Sequence, residues 1–279
     1  MLVLRTPSEM TEWSLHEIKQ GRSIGFIPTM GALHDGHVAL METSLLHNDR
    51  TVVSIFVNPL QFNNQNDLQT YPRQIEADMN VLTVANIDVL YIPTPEAMYP
   101  EGFASSVSAG KISASMEGVH RPGHFDGVAT VVVKLLNAVR PDVAYFGLKD
   151  FQQLAVIRQV VRDLDIASRI VGVPTIRDAD GLALSSRNVR LTTNQRTQAP
   201  VIYKLLTEIV ASVRTGTVDV TSLRNKFMTI ESIADAVVEY FEVVDSVTLQ
   251  EQTDADNSSV ICVAVWFGDV RLIDNISIA

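Results

Sequence analysis

Residues Pro28-Thr29-Met30-Gly31-Ala32-Leu33-His34-Asp35-Gly36-His37 place two histidines three positions apart, directly after the apolar run Ile24-Gly25-Phe26-Ile27. That order predicts a strand, a glycine turn and a helix that opens with the histidine pair. Residues three apart on a helix share a face, so both imidazoles point the same way. They do so at a helix start, where unsatisfied backbone N–H groups and the dipole favour anions. Such a corner suits the phosphates of a nucleotide, above all while charge builds during their transfer.

Three further stretches combine glycine, hydroxyl or amide groups with a cation, or pair two amides. Gly147-Leu148-Lys149-Asp150-Phe151-Gln152-Gln153 carries an ammonium, and Asp180-Gly181-Leu182-Ala183-Leu184-Ser185-Ser186-Arg187-Asn188 carries a guanidinium. Asn58-Pro59-Leu60-Gln61-Phe62 sets two amides in an otherwise apolar run. Singly, each has a plain reading. Lys149 alone is a solvated surface lysine, Asp150 a helix cap, and Ser185-Ser186 a turn. Gln61 and Gln153 alone say almost nothing. The histidines alone fit a surface pair, and their spacing without a cysteine partner argues weakly for zinc.

The elements that position these residues follow from periodicity. Strands are predicted at 23–28, 51–57, 89–92, 143–147 and 169–173. Helices are predicted at 35–47, 71–85 with Pro72 at its first turn, 126–139, and 150–164 with Asp150 as N-cap. Strands separated by helices imply a parallel sheet covered on both faces, with ligands beyond the carboxyl ends of its strands. The pattern changes near Pro174. A polar, turn-rich segment at 175–190 precedes helices at 193–214 and 220–232, then apolar runs at 237–244, 260–267 and 270–278. The expected class is therefore α/β: a Rossmann-like parallel-sheet domain over 1–174 and a smaller α+β domain over 175–279.

Composition narrows the partners. With 279 residues, 46% apolar and 19% charged, the chain reads as a globular enzyme and not a disordered segment. A formal charge of −10, with no dense Lys/Arg run, disfavours nucleic acid. The single cysteine, Cys262, excludes an intrachain disulfide and reads as a buried, inert thiol. No signal-peptide pattern opens the chain and no run approaches a membrane span, so a cytoplasmic protein without a membrane partner is expected.

In combination, and in this order, these stretches resemble the pantothenate synthetase (pantoate–β-alanine ligase) family of the nucleotidyltransferase superfamily that includes the class I aminoacyl-tRNA synthetases. The resemblance covers nearly the whole chain. Its marks are 28–37, Ser54–Phe62 (SIFVNPLQF), Tyr71-Pro72-Arg73, Arg121-Pro122-Gly123-His124-Phe125 with Gly127, 147–153, 180–188 and 266–275. It implies a two-step reaction in which pantoate's carboxylate attacks the α-phosphate of ATP, then β-alanine's amine attacks the acyl adenylate and releases AMP. The family also implies a homodimer.

The resemblance assigns residues in turn. Met30, Gly31, His34, Gly36 and His37 contact ATP, His34 and His37 stabilise the transferring phosphate, and Lys149 adds a point charge to it. Ser185, Ser186 and Arg187 close over the phosphates from the second domain. Gly147, Leu148 and Asp150 lie by the adenosine, and Ile176 and Leu184 line the adenine pocket. Gln61 and Gln153 hold pantoate, with Gln61 later orienting β-alanine and Asn58 a further candidate. Mg²⁺ is expected with the phosphates, and Asp78 is a candidate to approach it. For Arg121 and His124, read from the residues alone, two roles stay open: holding the loop before the helix at 126, or direct catalysis. The chain departs from many relatives at Leu148, where they carry glutamate, and at Leu184, where they carry methionine. A nucleotidylyltransferase of the same fold, and a non-catalytic nucleotide-binding regulator, are the competing functions.

Overall fold

The structure is a computed structural model that describes residues 1–63, 65–213, 218–232 and 236–278. Contacts divide it into two compact units: Met1–Leu148 with Val156–Pro174, and Lys149–Ala155 with Thr175–Ala279. A division at 174 alone would leave 149–155 with the first unit. Its partners are in the second, among them Asn275, whose Nδ2 donates to the Lys149 carbonyl at 2.8 Å.

The first unit is built on a six-stranded parallel sheet of order β1-β4-β3-β2-β5-β6. Its strands are β1 (Leu2–Leu4), β2 (Ile24–Thr29), β3 (Arg50–Ile55), β4 (Val89–Tyr91), β5 (Val143–Gly147) and β6 (Arg169–Val173). β1 had no counterpart among the predicted strands. At three residues it is too short to show a period, and it pairs in parallel with β4 at one edge. The helices are α1 (Pro7–Lys19), α2 (Asp35–His47), α3 (Gln65–Thr70), α4 (Ile75–Val84), α5 (Pro95–Met98), α6 (Glu117–His120), α7 (His124–Val139) and α8 (Phe151–Asp163), whose residues up to Ala155 belong to the second unit. α1, also unpredicted, has a local start signal: Thr6 and Glu9 form a reciprocal capping box, with Pro7 in the first turn.

One predicted helix divides. Instead of one helix at 71–85, α3 ends before Tyr71 and α4 begins at Ile75. The residue before a proline is pushed out of the helical region, so Pro72 ends one helix here and does not open the next. Asp150 likewise is no simple N-cap, because a single 3₁₀ turn, Leu148–Asp150, runs straight into α8.

Alternation along the strands sends Ile27, Val53, Leu90 and Tyr145 to one face, where they pack with Leu40 and Met41 of α2 and Leu82 of α4. α1 and α7 lie against β2 as well. From β2 the chain winds outward through β3 to β4, then returns to the other side of β2 as β5. The switch point of the sheet therefore lies between β2 and β5, where open α/β sheets bind ligands beyond their strand ends.

The second unit pairs a three-stranded antiparallel sheet with helices. Label α9 marks Thr193–Gln198, α10 Val201–Val213 and α11 Val220–Phe227; β7 is Val218–Asp219, β8 Ala236–Asp245, β9 Asp254–Ala255, β10 Ser259–Phe267 and β11 Val270–Ser277. The sheet order is β11-β10-β8, and β7 and β9 form a separate ribbon. The single helix predicted at 193–214 is broken into α9 and α10 at Ala199-Pro200, because proline cannot supply the N–H an uninterrupted helix needs. Its predicted last residue, Arg214, lies outside the described residues. Ile202, Leu206 and Ile209 of α10 bury against Ile261, Val263 and Val265 of β10. Cys262 is buried in the same strand, as a small apolar residue would be.

The polar segment at 175–190 is a hairpin. Leu184 N donates to Ile176 O, Arg177 bridges to Ala183, and Gly181 turns the chain at φ +95°. It is anchored by a buried ion pair: Arg177 meets both oxygens of Asp274 on β11 at 2.6 and 2.8 Å, and its guanidinium stacks on Tyr203 of α10. Among the described residues no helix is long and apolar enough to cross a membrane.

Two substitutions test this packing. Gly127→Ala puts a Cβ 2.3 Å from the Leu60 carbonyl oxygen. Overpacking of this kind should lower the unfolding free energy by about 1–3 kcal/mol in a urea titration. Asp274→Ala strands a buried guanidinium and should cost about 3–5 kcal/mol by the same measurement.

Candidate active site

The carboxyl ends of β2 and β3 are in register, Thr29 opposite Ile55, so the turns that follow leave the sheet at one level. Thr29 Oγ1 ties them together. It donates to the Ser54 carbonyl at 2.7 Å and accepts from Gly31 N at 3.2 Å. Gly31 and Ala32 then take left-handed backbone angles, φ +84° and +52°. A Cβ on Gly31 would come within 2.9 Å of an Asp78 oxygen. Glycine is required there by both conformation and space.

His34 is the N-cap of α2, an unusual residue in that position. Its Nδ1 accepts from Gly36 N at 3.1 Å, while His37 Nδ1 accepts from His34 N at 3.2 Å. This is a capping box made of two imidazoles. An Nδ1 that accepts leaves the proton of the neutral ring on Nε2, so both histidines hold the same tautomer. The rings sit 4.2 Å apart between centroids, so both Nε2–H donors belong to one corner.

The same contacts correct the expectation of free N–H groups at this helix start. Gly31 N is held by Thr29, Ala32 N and Leu33 N by Asp78, His34 N and Gly36 N by imidazoles, and His37 N by the His34 carbonyl. The helix end can present its charge through these rings, not through bare amides. Each ring accepts a backbone N–H on Nδ1 and carries its own proton on Nε2, at the donor end of the helix.

Asn58 and Gln61 follow β3 on a single 3₁₀ turn, with Asn58 as its cap. Gln61 is nearly buried, and its Nε2 donates to Met30 Sδ at 2.9 Å. The predicted nucleotide turn and the predicted glutamine thus meet. Asn58, the further candidate for pantoate, lies beneath Gln61. It is 1% exposed. Its Nδ2 donates to Gln61 Oε1 and the Gly127 carbonyl, and its Oδ1 accepts from Leu60 N and Tyr99 Oη. With all four bonds made inside the protein, it sets the Gln61 carboxamide. Burial pushes the Tyr99 phenol above its ordinary range, so the hydroxyl stays a donor to Asn58.

His124 opens α7 and faces the Gln61 carbonyl through Nδ1 at 2.8 Å, with Nε2 3.4 Å from Arg121 Nη1. A carbonyl only accepts, so this ring carries its proton on Nδ1, the reverse of His34 and His37. Arg121 and His124 both reach the Gln61 carbonyl, so they brace the turn after β3. Gly147 ends β5, on the other side of β2, and Leu148 follows it as the last residue before the chain passes into the second unit.

The second unit groups the remaining candidates. The Lys149 ammonium is largely covered and lies 4.0 Å from Asp150 Oδ1. Its carbonyl accepts from Asn275, whose own N–H donates to Asp274 Oδ1. Asp274 also holds Arg177, so one carboxylate serves both the Lys149 segment and the base of the hairpin. Gln153 is half-buried on the first turns of α8. Ile176 and Leu184 are joined across the hairpin by their backbone bond. Ser185, Ser186 and Arg187 follow, with Arg187 N donating to Ser185 Oγ. At the hairpin tip, the hydrogen bond from Arg196 holds the Asp180 carboxyl below the usual range against a smaller opposing effect of burial.

Asp78 answers differently from its predicted approach to a metal. Both of its oxygens accept backbone N–H groups, Oδ2 from Ala32 at 3.0 Å and Oδ1 from Leu33 at 2.8 Å. Forty-six residues separate Ala32 from Asp78, and no local pattern signals the pairing. Asn275 and the Arg177–Asp274 pair were missed for the same reason.

A family model described as pantoate-beta-alanine ligase matches residues 2–277. A pantothenate synthetase of Aliivibrio fischeri is 49% identical over 260 residues, 92% of this chain and 89% of that protein. One of Sulfurihydrogenibium sp. is 45% identical, with 99% of each chain covered. Among solved structures, pantothenate synthetase from Thermus thermophilus superposes with a TM-score of 0.93 at 43% identity, covering 100% of this chain and 99% of that one. Pantoate-beta-alanine ligase from Francisella tularensis, solved with beta-gamma ATP and beta-alanine, gives 0.85 at 38%, covering 100% and 98%. With the motifs in order and a match across almost the entire length, the chain belongs to the pantoate-beta-alanine ligase family.

Proposed function

We propose that the chain is an AMP-forming ligase that condenses (R)-pantoate with β-alanine to give pantothenate, using ATP. One carboxylate oxygen of pantoate attacks the α-phosphorus, pyrophosphate leaves, and pantoyl adenylate forms. The amine of β-alanine then attacks the acyl carbon, and AMP leaves as the amide forms. The observation that supports this reading best is the imidazole capping box, with Gln61 docked on Met30 of the same turn.

The chemical problem of the first step is an anion attacking a polyanion. A transition state that gathers charge on phosphate oxygens is stabilised by donors fixed in advance. The Nε2–H groups of His34 and His37 are such donors, held by backbone bonds that need no reorganisation. Lys149 supplies a point charge, and Ser185, Ser186 and Arg187 supply hydroxyls and a guanidinium for the same phosphates. Met30, Gly31, Gly36, Gly147, Leu148 and Asp150 serve the nucleotide at the strand ends, and Ile176 and Leu184 offer apolar surface to adenine. Gln61 and Gln153 donate to and accept from pantoate's carboxylate and hydroxyls, and Gln61 later orients β-alanine.

Magnesium is substrate here, carried by the triphosphate. Among the described residues no group of three or more His, Cys, Asp or Glu is placed to hold a metal ion, and the Asp78 oxygens are already engaged. Within this reading the enzyme is a cytoplasmic homodimer, as its family implies.

The direct assay omits Mg-ATP, pantoate and β-alanine in turn. AMP released in step with pantothenate, and dependent on β-alanine, is the expected result. A stable nucleotide conjugate as end product would replace the ligase with a nucleotidylyltransferase. His37→Ala and Lys149→Ala should each slow adenylate formation by about 10²–10³, measured in a single turnover. Gln153→Ala should raise the KM for pantoate while leaving that for ATP near the wild-type value; the reverse pattern would reassign Gln153.

A further inference from the structure

We infer that Asp78 is a positioning residue for the phosphate-handling histidines, an internal anion that occupies the nest beneath them. This rests on the ligase reading above. Two successive residues, Gly31 and Ala32, have positive φ, and the N–H groups of Ala32 and Leu33 converge on the Asp78 carboxylate. Successive amides presented from a left-handed stretch make an anion-binding concavity. In many phosphate sites such a nest takes the phosphate. Here a side chain that is 3% exposed, on α4, fills it from within.

Two consequences follow for the chemistry. The Ala32 and Leu33 amides are taken by Asp78, so a phosphate cannot take the nest. The residue after Leu33 is His34, whose N–H and ring close the capping box. A carboxylate that fixes Ala32 N and Leu33 N therefore fixes the entry angle of the chain into α2, and with it both rings. Ala32 has a Cβ and yet a left-handed backbone, a conformation that persists only where its surroundings impose it. The carboxylate, which holds Ala32 N itself, and Thr29 Oγ1, which holds Gly31 N, are those surroundings.

The predicted metal role and the positioning role separate cleanly. Asp78→Asn keeps the shape but offers one acceptor oxygen to two N–H groups and turns an amine toward the other. Single-turnover adenylate formation should fall by about 10²-fold, the scale of a misplacement near 1 Å. The KM for pantoate and the Mg²⁺ concentration for half-maximal rate should stay within about twofold of wild type, the precision this distinction needs. Imidazole ¹⁵N shifts of the ligand-free variant should show His34 and His37 losing their uniform Nε2–H state, a change that a merely destabilised but folded protein would not produce. A wild-type rate in Asp78→Asn overturns the inference. So does a slow rate restored by high Mg²⁺, which would make Asp78 a metal ligand. If the variant fails to fold, amide exchange of the ligand-free wild type decides: Ala32 and Leu33 must be protected, and rapid exchange at both overturns the clamp. The exchange and ring measurements need no turnover. A wild-type enzyme that makes no pantothenate would refute the ligase reading, whereas rapid exchange at Ala32 and Leu33 would refute the clamp alone.

Discussion

The start of α2 is governed by a shortage of acceptors. A helix begins with amides that have no partner within it, and this one is preceded by a left-handed turn that adds more. The chain satisfies them with two imidazoles, one hydroxyl and one carboxylate, so that almost every N–H from Gly31 to His37 is spoken for. The consequence is chemical. The neutral rings that accept these bonds on Nδ1 carry their protons on Nε2, so both imidazoles are held in one tautomer at the start of the helix. Stability and function use the same bonds, which is why the turn tolerates a strained Ala32.

A second demand for satisfied polar groups shapes the turn after β3. Gln61 is set by Asn58 from its own turn, whose four bonds are all made within the protein, by Tyr99 behind Asn58, and by His124 from the start of α7. Gly127 lets α7 approach the Leu60 carbonyl closely enough to receive the Asn58 bond. The histidines of this unit thus divide by tautomer. His34 and His37 accept from the backbone and offer Nε2–H, whereas His124 donates to a backbone carbonyl and supports.

The second unit uses one buried carboxylate in a comparable way. Asp274 takes both arms of Arg177 and the N–H of Asn275, and Asn275 holds the carbonyl of Lys149. A serine-and-arginine hairpin and a lysine segment that are far apart in sequence are both referred to the same residue of β11. A buried ion pair is weak evidence of stability by itself, but this one fixes register and position.

The local grammar of the chain was legible. The apolar runs of β2, β3, β5 and β6, the period of α7 and α8, and the change of pattern after Pro174 follow from side-chain periodicity, which is a property of short stretches. So are the identity and spacing of His34 and His37. Where reading failed locally, the failures have names: Pro72 ended a helix, Pro200 split one, and β1 was too short to have a period. What only the tertiary structure decided is which polar atoms are left over. Whether an amide, an imidazole nitrogen or a carboxylate oxygen is available to a substrate depends on partners such as Asp78, Tyr99 and Asn275, supplied from dozens of residues away. Spacing along the chain reports the residues a helix or strand brings together, but hydrogen-bond valence is exhausted in three dimensions, and no one-dimensional pattern records it.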